Sequence, residues 1–319
     1  LGLPLREVPV RAVLRGRHQL LLRFGGAVAA GRLMRLSQTQ MVNALGIAGS
    51  YSGGLIEFSR CQEGAMIKRL HLGKAAEGGV TAATLARRGF AGPESILEGK
   101  FGFCRTFSDS PELDYLTHRL GREFETMNIA IKRCACHINA HAPIEALEKL
   151  RREFQFAPED VREITVGGIE KLVTHHAIYK PKDLMMAQYS IPFCVALSLY
   201  FDPTDPESFN EKNLKDKRIL AMMRKVRLEV DQEIEEQGWD RAARVTVALK
   251  NNRRHSALVV HFKGTPGNPM SQSEVEDKAR KLTRALLPDR KLERLIEAVN
   301  RLEKLDDVSS IGALLRGAR

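Results

Sequence analysis

The sequence predicts a mixed architecture, an all-helical domain interrupted by an α+β insertion, and three observations carry that prediction. Apolar residues recur at helical spacing toward both ends of the 319-residue chain. A capping box opens a helical stretch on each side, Ser37-x-x-Gln40 before one and Ser271-x-x-Glu274 before the other. Alternating runs, the pattern of half-buried strands, occur only between Asn128 and Phe262. No internal repeat is visible.

In chain order, Ser37 starts a helix whose apolar positions include Leu45, Ile47, Leu55 and Phe58. Ala44, Gly46, Ala48, Gly49, Ser50, Ser52, Gly53 and Gly54 crowd that stretch. Glycine weakens a helix, so such a density of small residues points to backbones packed very close together. A second helix is predicted from Lys74 to Arg88, stopped by Gly89. Residues 92–110 read as loop with a short helix, and residues 111–124 as a further helix. Asn128 to Lys132 alternates like a strand, and Pro143 suits the first turn of a helix reaching Phe154. Val161 to Val166 reads as a strand and residues 185–200 as one buried helix. Asp202-Pro203-Thr204-Asp205-Pro206 is a break. Residues 211–224 read as helix and Val226 to Val230 as a strand. Val245–Leu249 and Ser256–Phe262 form a hairpin around Asn251-Asn252. Beyond Gly264–Pro269 the helices return, one marked by Leu292, Leu295, Ile296, Val299 and Leu302, the last over residues 308–315.

Composition narrows the class. The chain is 43% hydrophobic and 28% charged, ordinary for a globular protein with a buried core, and no apolar run reaches membrane-spanning length. Five cysteines at irregular spacing argue against a disulfide framework and for a reducing, cytoplasmic setting. Cys134-x-Cys136 lacks the spacing and the second pair of a structural zinc site, so structural zinc is not expected. The net charge of +11 would suit nucleic acid, but only 6% of residues are aromatic and no nucleic-acid motif is present, so nucleic acid is not expected as a partner. Much of the excess comes from Arg6, Arg11, Arg15, Arg17, Arg23, Arg32 and Arg35, in a stretch with no acid between Glu7 and Glu57. Residues 1–24 therefore stand apart. They resemble a transit peptide, a basic arm, or a truncated or misframed start, and the opening Leu1 favours the last.

Two short stretches carry the chemistry. Lys132-Arg133-Cys134-Ala135-Cys136-His137-Ile138-Asn139-Ala140-His141 packs cations, thiols and imidazoles ahead of a helix. Lys68-Arg69-Leu70-His71-Leu72-Gly73-Lys74 does the same upstream, with His71 placed just before a helix start, where the dipole favours anions. Two like charges ~5 Å apart at an effective dielectric of about 20 repel by roughly 3 kcal/mol, so a pocket joining Lys68 and Lys132 would be relieved by a small polyanion. Lysine serves as a compact point charge and histidine as the group that switches protonation near neutral pH. Each residue also has a plainer reading. Lys68, Lys74 and Lys132 can be solvated, His71 can cap a helix, and His137 and His141 can be satisfied core or capping histidines. Cys134 and Cys136 read as buried small residues. His175-His176 has the look of a metal-ligand pair, but neighbours on a strand face opposite ways.

Four passages give the chain a family resemblance. Asn43-Ala44-Leu45-Gly46-Ile47-Ala48-Gly49-Ser50, the stretch Lys68–Ala76, the stretch Lys132–His141, and Ala187-Gln188-Tyr189-Ser190-Ile191-Pro192-Phe193 are similar to segments of the MmgE/PrpD family. That family includes 2-methylcitrate dehydratase, cis-aconitate decarboxylase and iminodisuccinate epimerase. The resemblance runs from about Gly25 to the C-terminus. It implies a helical domain over residues 25–127 and 270–319, and an α+β lid over 128–269, with the active site between them. It further implies a homodimer without metal or organic cofactor, acting on a small di- or tricarboxylate, with dehydration as the default reaction. By this resemblance Lys68, His71 and Lys132 bind substrate carboxylates, and His137 or His141, with Lys132, does the acid–base work. Decarboxylation, epimerisation and a catalytically incomplete remnant are the alternatives, with a basic nucleic-acid-binding protein, on charge alone, ranked behind them. The family's preceding helical stretch, with its active-site aspartate, threonine and histidine, has no counterpart here. Gly16-Arg17-His18 is similar to its Gly-x-His element at a different spacing, and Ile138 stands where many members carry arginine.

Overall fold

The computed structural model describes residues 17–51, 53 and 67–316, with residues 17–20, 68 and 69 as backbone only. By contact the chain forms two compact units, the first ending at Met127 and the second starting at Asn128.

The first unit is built on three helices, α1 (Arg17–Leu33), α2 (Gln38–Ser50) and α3 (Ile67–Arg87), each in contact with the other two. Ser37 caps α2 as expected: its Oγ accepts from Gln40 N while Gln40 Oε1 accepts from Ser37 N, so two of the helix's orphan donors are satisfied. The core between these helices is Phe24, Ala27, Ala30, Ala44, Ile47, Ala48, Ala82, Ala83 and Ala86. Nearly all of it is alanine, the close approach that the run of small residues implied. The helix α3 starts before Lys74, so His71 lies within it rather than ahead of it. The expected continuation of the α2 pattern to Leu55 and Phe58 falls outside the described residues. Of residues 1–24, set apart by charge, those from Arg17 onward lie in α1, which continues past residue 24. After α3 come a short helix α4 (Phe103–Phe107) and 3-10 turns at Leu113–Leu116 and Glu125–Asn128. The predicted helix over 111–124 does not form. Arg119 (φ 52°) and Gly121 (φ 80°) take left-handed backbone, which ends a right-handed helix.

The second unit holds a four-stranded sheet in the order β2-β1-β3-β4, formed by β1 (Val161–Gly168), β2 (Val226–Val230), β3 (Ala243–Leu249) and β4 (Arg254–Val259). The pair β1/β2 is parallel and joined by helices, while β1/β3 and β3/β4 are antiparallel. Asn252 supplies the left-handed residue of the β3–β4 turn at φ 66°. Strand β4 starts and ends earlier than expected, and Phe262, taken for a strand residue, is fully buried beyond its end. Helix α5 (His141–Phe154) packs on β3 and β4 with Ala142, Ile144, Ala146, Leu147 and Leu150 buried.

The connection from β1 to β2 contains α6 (Glu170–His176), α7 (Leu184–Tyr189), α8 (Ile191–Ser198), α9 (Glu211–Leu214) and α10 (Lys217–Met223). Two expected single helices are thus pairs. Ser190 ends α7 and caps α8, because its Oγ accepts from Phe193 N (3.0 Å) and Pro192 in the new first turn cannot continue the old ladder. Asp216 does the same for α10, accepting from Arg218 N. Asn128–Lys132 is not a strand. Alternation is present but no ladder is, and its tie is Ile131 N donating to Gly264 O (2.7 Å). Gly264 sits at φ 101°, and a Cβ there would meet Ile131 O at 2.0 Å, so the close approach that fixes the residue before Lys132 needs glycine.

Between β2 and β3 lies α11 (Gln232–Glu236), and the chain ends in α12 (Gln272–Thr283), α13 (Asp289–Asn300) and α14 (Ser309–Leu315). The Ser271–Glu274 capping box is complete. Salt bridges from Lys281 to Asp202 (2.7 Å) and Arg284 to Asp205 (2.9 Å) tie α12 to the turn after α8. Among the described residues no helix is long and apolar enough to cross a membrane.

Candidate active site

The stretch Lys132–His141 forms an irregular loop that turns through a 3-10 helix (Ile138–Ala140) into α5. Helix α7 holds it from one side. Gln188 O accepts from His137 N (2.8 Å) and Gln188 Nε2 donates to Ala135 O (2.9 Å), so one glutamine clamps both ends of a short turn. Ala135 N donates to Pro203 O (3.0 Å) from the break after α8. The two motifs noted separately in the sequence, Lys132–His141 and Ala187–Phe193, are therefore one structure. The Lys132 ammonium reaches back to Cys136 O (3.0 Å), the carbonyl just before His137. Arg133 pairs instead with Glu148 of α5 at 2.5 Å.

The two histidines of the motif have different surroundings. His141 is 2% exposed. Its Nδ1 lies 3.2 Å from His137 O and its Nε2 3.1 Å from Cys134 N. A carbonyl only accepts and a backbone N–H only donates, so the ring is neutral with its proton on Nδ1. Burial pushes its pKa down to about 4, opposed by the His137 carbonyl and helped by the charges of Lys132 and Arg133. His137 is half-buried, and its Nδ1 accepts from Asn139 N (3.3 Å), capping the 3-10 helix. Its ring lies 4.3 Å from that of His176 and 4.8 Å from that of Tyr189.

Three thiols are buried here, Cys134 and Cys136 of the loop and Cys194 of α8, the last donating to Ala187 O at 3.4 Å. The hydrogen bond with Cys136, then burial, pushes Cys134 well above the ordinary thiol range. For Cys136 the bond with Cys134 favours the thiolate, and contact with Cys194 together with burial outweighs it. Cys134 and Cys136 are thiols at neutral pH, not nucleophiles.

His176, read from the sequence as part of an adjacent pair on a strand, is on α6. It is buried, while His175 is exposed and hydrogen-bonded to Thr174. His176 Nε2 meets Asn139 Nδ2 (3.2 Å) and its Nδ1 meets Tyr189 O (3.2 Å). His176, Asn139 and Tyr189 join the site, a grouping that no spacing in the sequence indicated. Among the described residues no group of three or more His, Cys, Asp and Glu side chains is placed to hold a metal ion.

The upstream residues belong to the first unit. His71 is half-buried on α3, one or two turns before the buried Ala75 and Gly79 on the same stripe. Lys74 is exposed and paired with Glu77 at 2.8 Å, the plain surface reading. Lys68 lies on the first turn of α3 described here, and its side chain lies outside the described residues.

The MmgE/PrpD N-terminal domain matches residues 6–116 and the MmgE/PrpD C-terminal domain residues 134–304. The match takes in most of the basic stretch before Gly25 that the sequence motifs left out. A cis-aconitate decarboxylase-like protein of Aspergillus oryzae is 29% identical over 91% of this chain and 63% of its own length. Cis-aconitate decarboxylases of Aspergillus terreus (27%) and Homo sapiens (26%) align over 91% and 92% of this chain and 62% and 61% of theirs. The chain spans a little over three fifths of the length of these relatives. With both domain models matched in order, and the second covering more than half of the residues, the chain belongs to the MmgE/PrpD family.

Proposed function

We propose that the Lys132–His141 loop is part of a lyase site for a small polycarboxylate. Lys132 holds a carboxylate, His137 meets the reacting end through Nε2, and His141 positions the loop. The observation that carries this reading is the contrast between the two histidines. Both ring nitrogens of His141 are engaged by backbone in a buried site, which suits a positioning role. His137 is half-buried, beside the carbonyl that carries the Lys132 ammonium.

The chemistry asks for such a pair. Loss of carbon dioxide beside a second carboxylate leaves an electron pair that spreads onto the carboxylate left behind. Proton removal beside a carboxylate, the first step of a dehydration or an epimerisation, builds the same charge. A fixed cation and a fixed N–H donor stabilise it where water would have to reorganise. The names of the relatives favour decarboxylation of cis-aconitate over the dehydration expected from the sequence. Lys68 and His71 remain proposed substrate contacts on the family resemblance.

The test is to incubate the full chain with cis-aconitate and with 2-methylcitrate, following products by NMR and binding by thermal shift. We expect turnover of cis-aconitate. Lys132→Ala should weaken binding by about 10- to 100-fold, the worth of one hydrogen bond to a charged group. Binding without turnover marks a catalytically incomplete chain. Neither binding nor turnover with any polycarboxylate overturns the proposal.

A further inference from the structure

We propose that His176 is a positioning residue that, with Asn139, holds His137 as the neutral tautomer carrying its proton on Nε2. His137 then serves as a hydrogen-bond donor to developing negative charge and not as the general base. The catalytic half of this inference rests on the reading of His137 given above. The tautomer half stands on geometry alone.

His176 is 3% exposed and both its nitrogens are used. Tyr189 O can only accept, so His176 Nδ1 carries a proton, and Nε2 is left to accept from the Asn139 amide. That contact sets the position of Asn139, and the backbone N–H of the same residue donates to His137 Nδ1. One residue thus links the two imidazoles, its side chain to one and its main chain to the other. With His137 Nδ1 held as an acceptor, the neutral ring keeps its proton on Nε2. The ring of His176 at 4.3 Å and that of Tyr189 at 4.8 Å restrict rotation that would exchange the two nitrogens.

The hydrogen bond at Nδ1 opposes a charged His137. A proton on Nδ1 would face the Asn139 N–H and break that bond. The Lys132 ammonium lies on the neighbouring carbonyl of Cys136. His141, whose Nδ1 bonds His137 O, is neutral, and the Cys136 thiol is protonated. On α7 the facing groups are the Tyr189 phenol and the uncharged Gln188, and on α6 His176 itself, with His175 turned to solvent. A neutral donor suits a polyanionic substrate. It gains most from charge that appears in the transition state and does not hold the ground state as tightly as a cation would.

The experiment is a histidine ¹H–¹⁵N long-range NMR titration of the ligand-free full chain, comparing wild type with His176→Phe and His176→Gln. We expect wild-type His137 to carry its proton on Nε2. His176→Phe keeps a ring but loses both hydrogen bonds, so it should mix the two tautomers and raise the His137 midpoint by about one pH unit. His176→Gln, whose amide supplies one donor and one acceptor, should restore both readings. Wild-type His137 protonated on Nδ1 overturns the proposal. So does a folded His176→Phe protein with unchanged tautomer and midpoint. Should the Phe variant not fold, the wild-type tautomer and the Gln variant decide. The titration uses no substrate, so its failure overturns the tautomer assignment whether or not polycarboxylates bind. Failure of polycarboxylate binding overturns the functional reading whatever the titration gives.

Discussion

The two units solve the packing problem in opposite ways. In the first, α1, α2 and α3 meet through alanine and glycine, and the helix backbones themselves come together. In the second, α5 and α8 fill the space over the sheet with Phe193, Ile144, Leu147, Leu150, Ile191 and Leu197, all essentially inaccessible. The first arrangement gains little apolar area per residue and depends on shape. The second gains by burial and tolerates repacking. The histidine loop is attached to the second kind, on elements held by large side chains. That suits a site whose geometry must persist while charges on it change.

Adding an atom should hurt the first unit most. A Cβ on Gly79 would lie 2.5 Å from both Ala27 N and Arg23 O, backbone atoms that cannot step aside. We expect Gly79→Ala to cost at least about 3 kcal/mol and to release amide protection in α1 and α3 while β1 and β3 stay protected. Equal loss of protection in both units would break the contrast.

Removing atoms should hurt the second unit. Leu147→Ala is expected to cost about 2 to 5 kcal/mol, read as a lower urea midpoint for the sheet, because a fully buried leucine leaves a cavity. A cost below about 1 kcal/mol would mean this core is as loosely filled as a surface.

Acid should then separate the units. His141 is neutral when folded, with a pKa of about 4 against an ordinary 6.5. Between those values the unfolded chain takes up a proton that the folded chain refuses. Stability therefore rises with pH across this window and is lost as pH falls from about 6.5 toward about 4, by at most about 3 kcal/mol. His141→Gln should flatten that part of the stability–pH curve. An unchanged slope would remove His141 as the cause.

The smallest effect should be the same in both units. Ser37→Ala and Ser271→Ala each remove the hydroxyl of a complete capping box, and each should cost about 1 kcal/mol by thermal denaturation. A large difference between them would mean that one cap does more than satisfy its own helix.

Such caps were legible in the sequence because their signature is local. So were the four strands, the Asn251-Asn252 turn and the small-residue contacts of α2. Asn128–Lys132 misled because alternation states which face would be buried, not whether a partner strand exists. The stretch 111–124 misled because left-handed backbone at Arg119 leaves no mark in composition. The site divides along the same line. Lys132, His137 and His141 share one loop because they are near neighbours in the chain. His176 meets Asn139 across 37 residues, a relation that only the tertiary fold creates. The different tasks open to His137 and His141 come from which ring nitrogen meets which backbone group, and residue spacing does not encode that.

Gln188 gives that loop a mechanical consequence. Because one side chain and its own carbonyl grip Ala135 and His137 together, and Ser190 two residues on is anchored to Ile178 O at 2.6 Å, the imidazoles and the α7–α8 elbow travel as a single piece. A displacement of this loop would therefore carry the α7–α8 elbow with it.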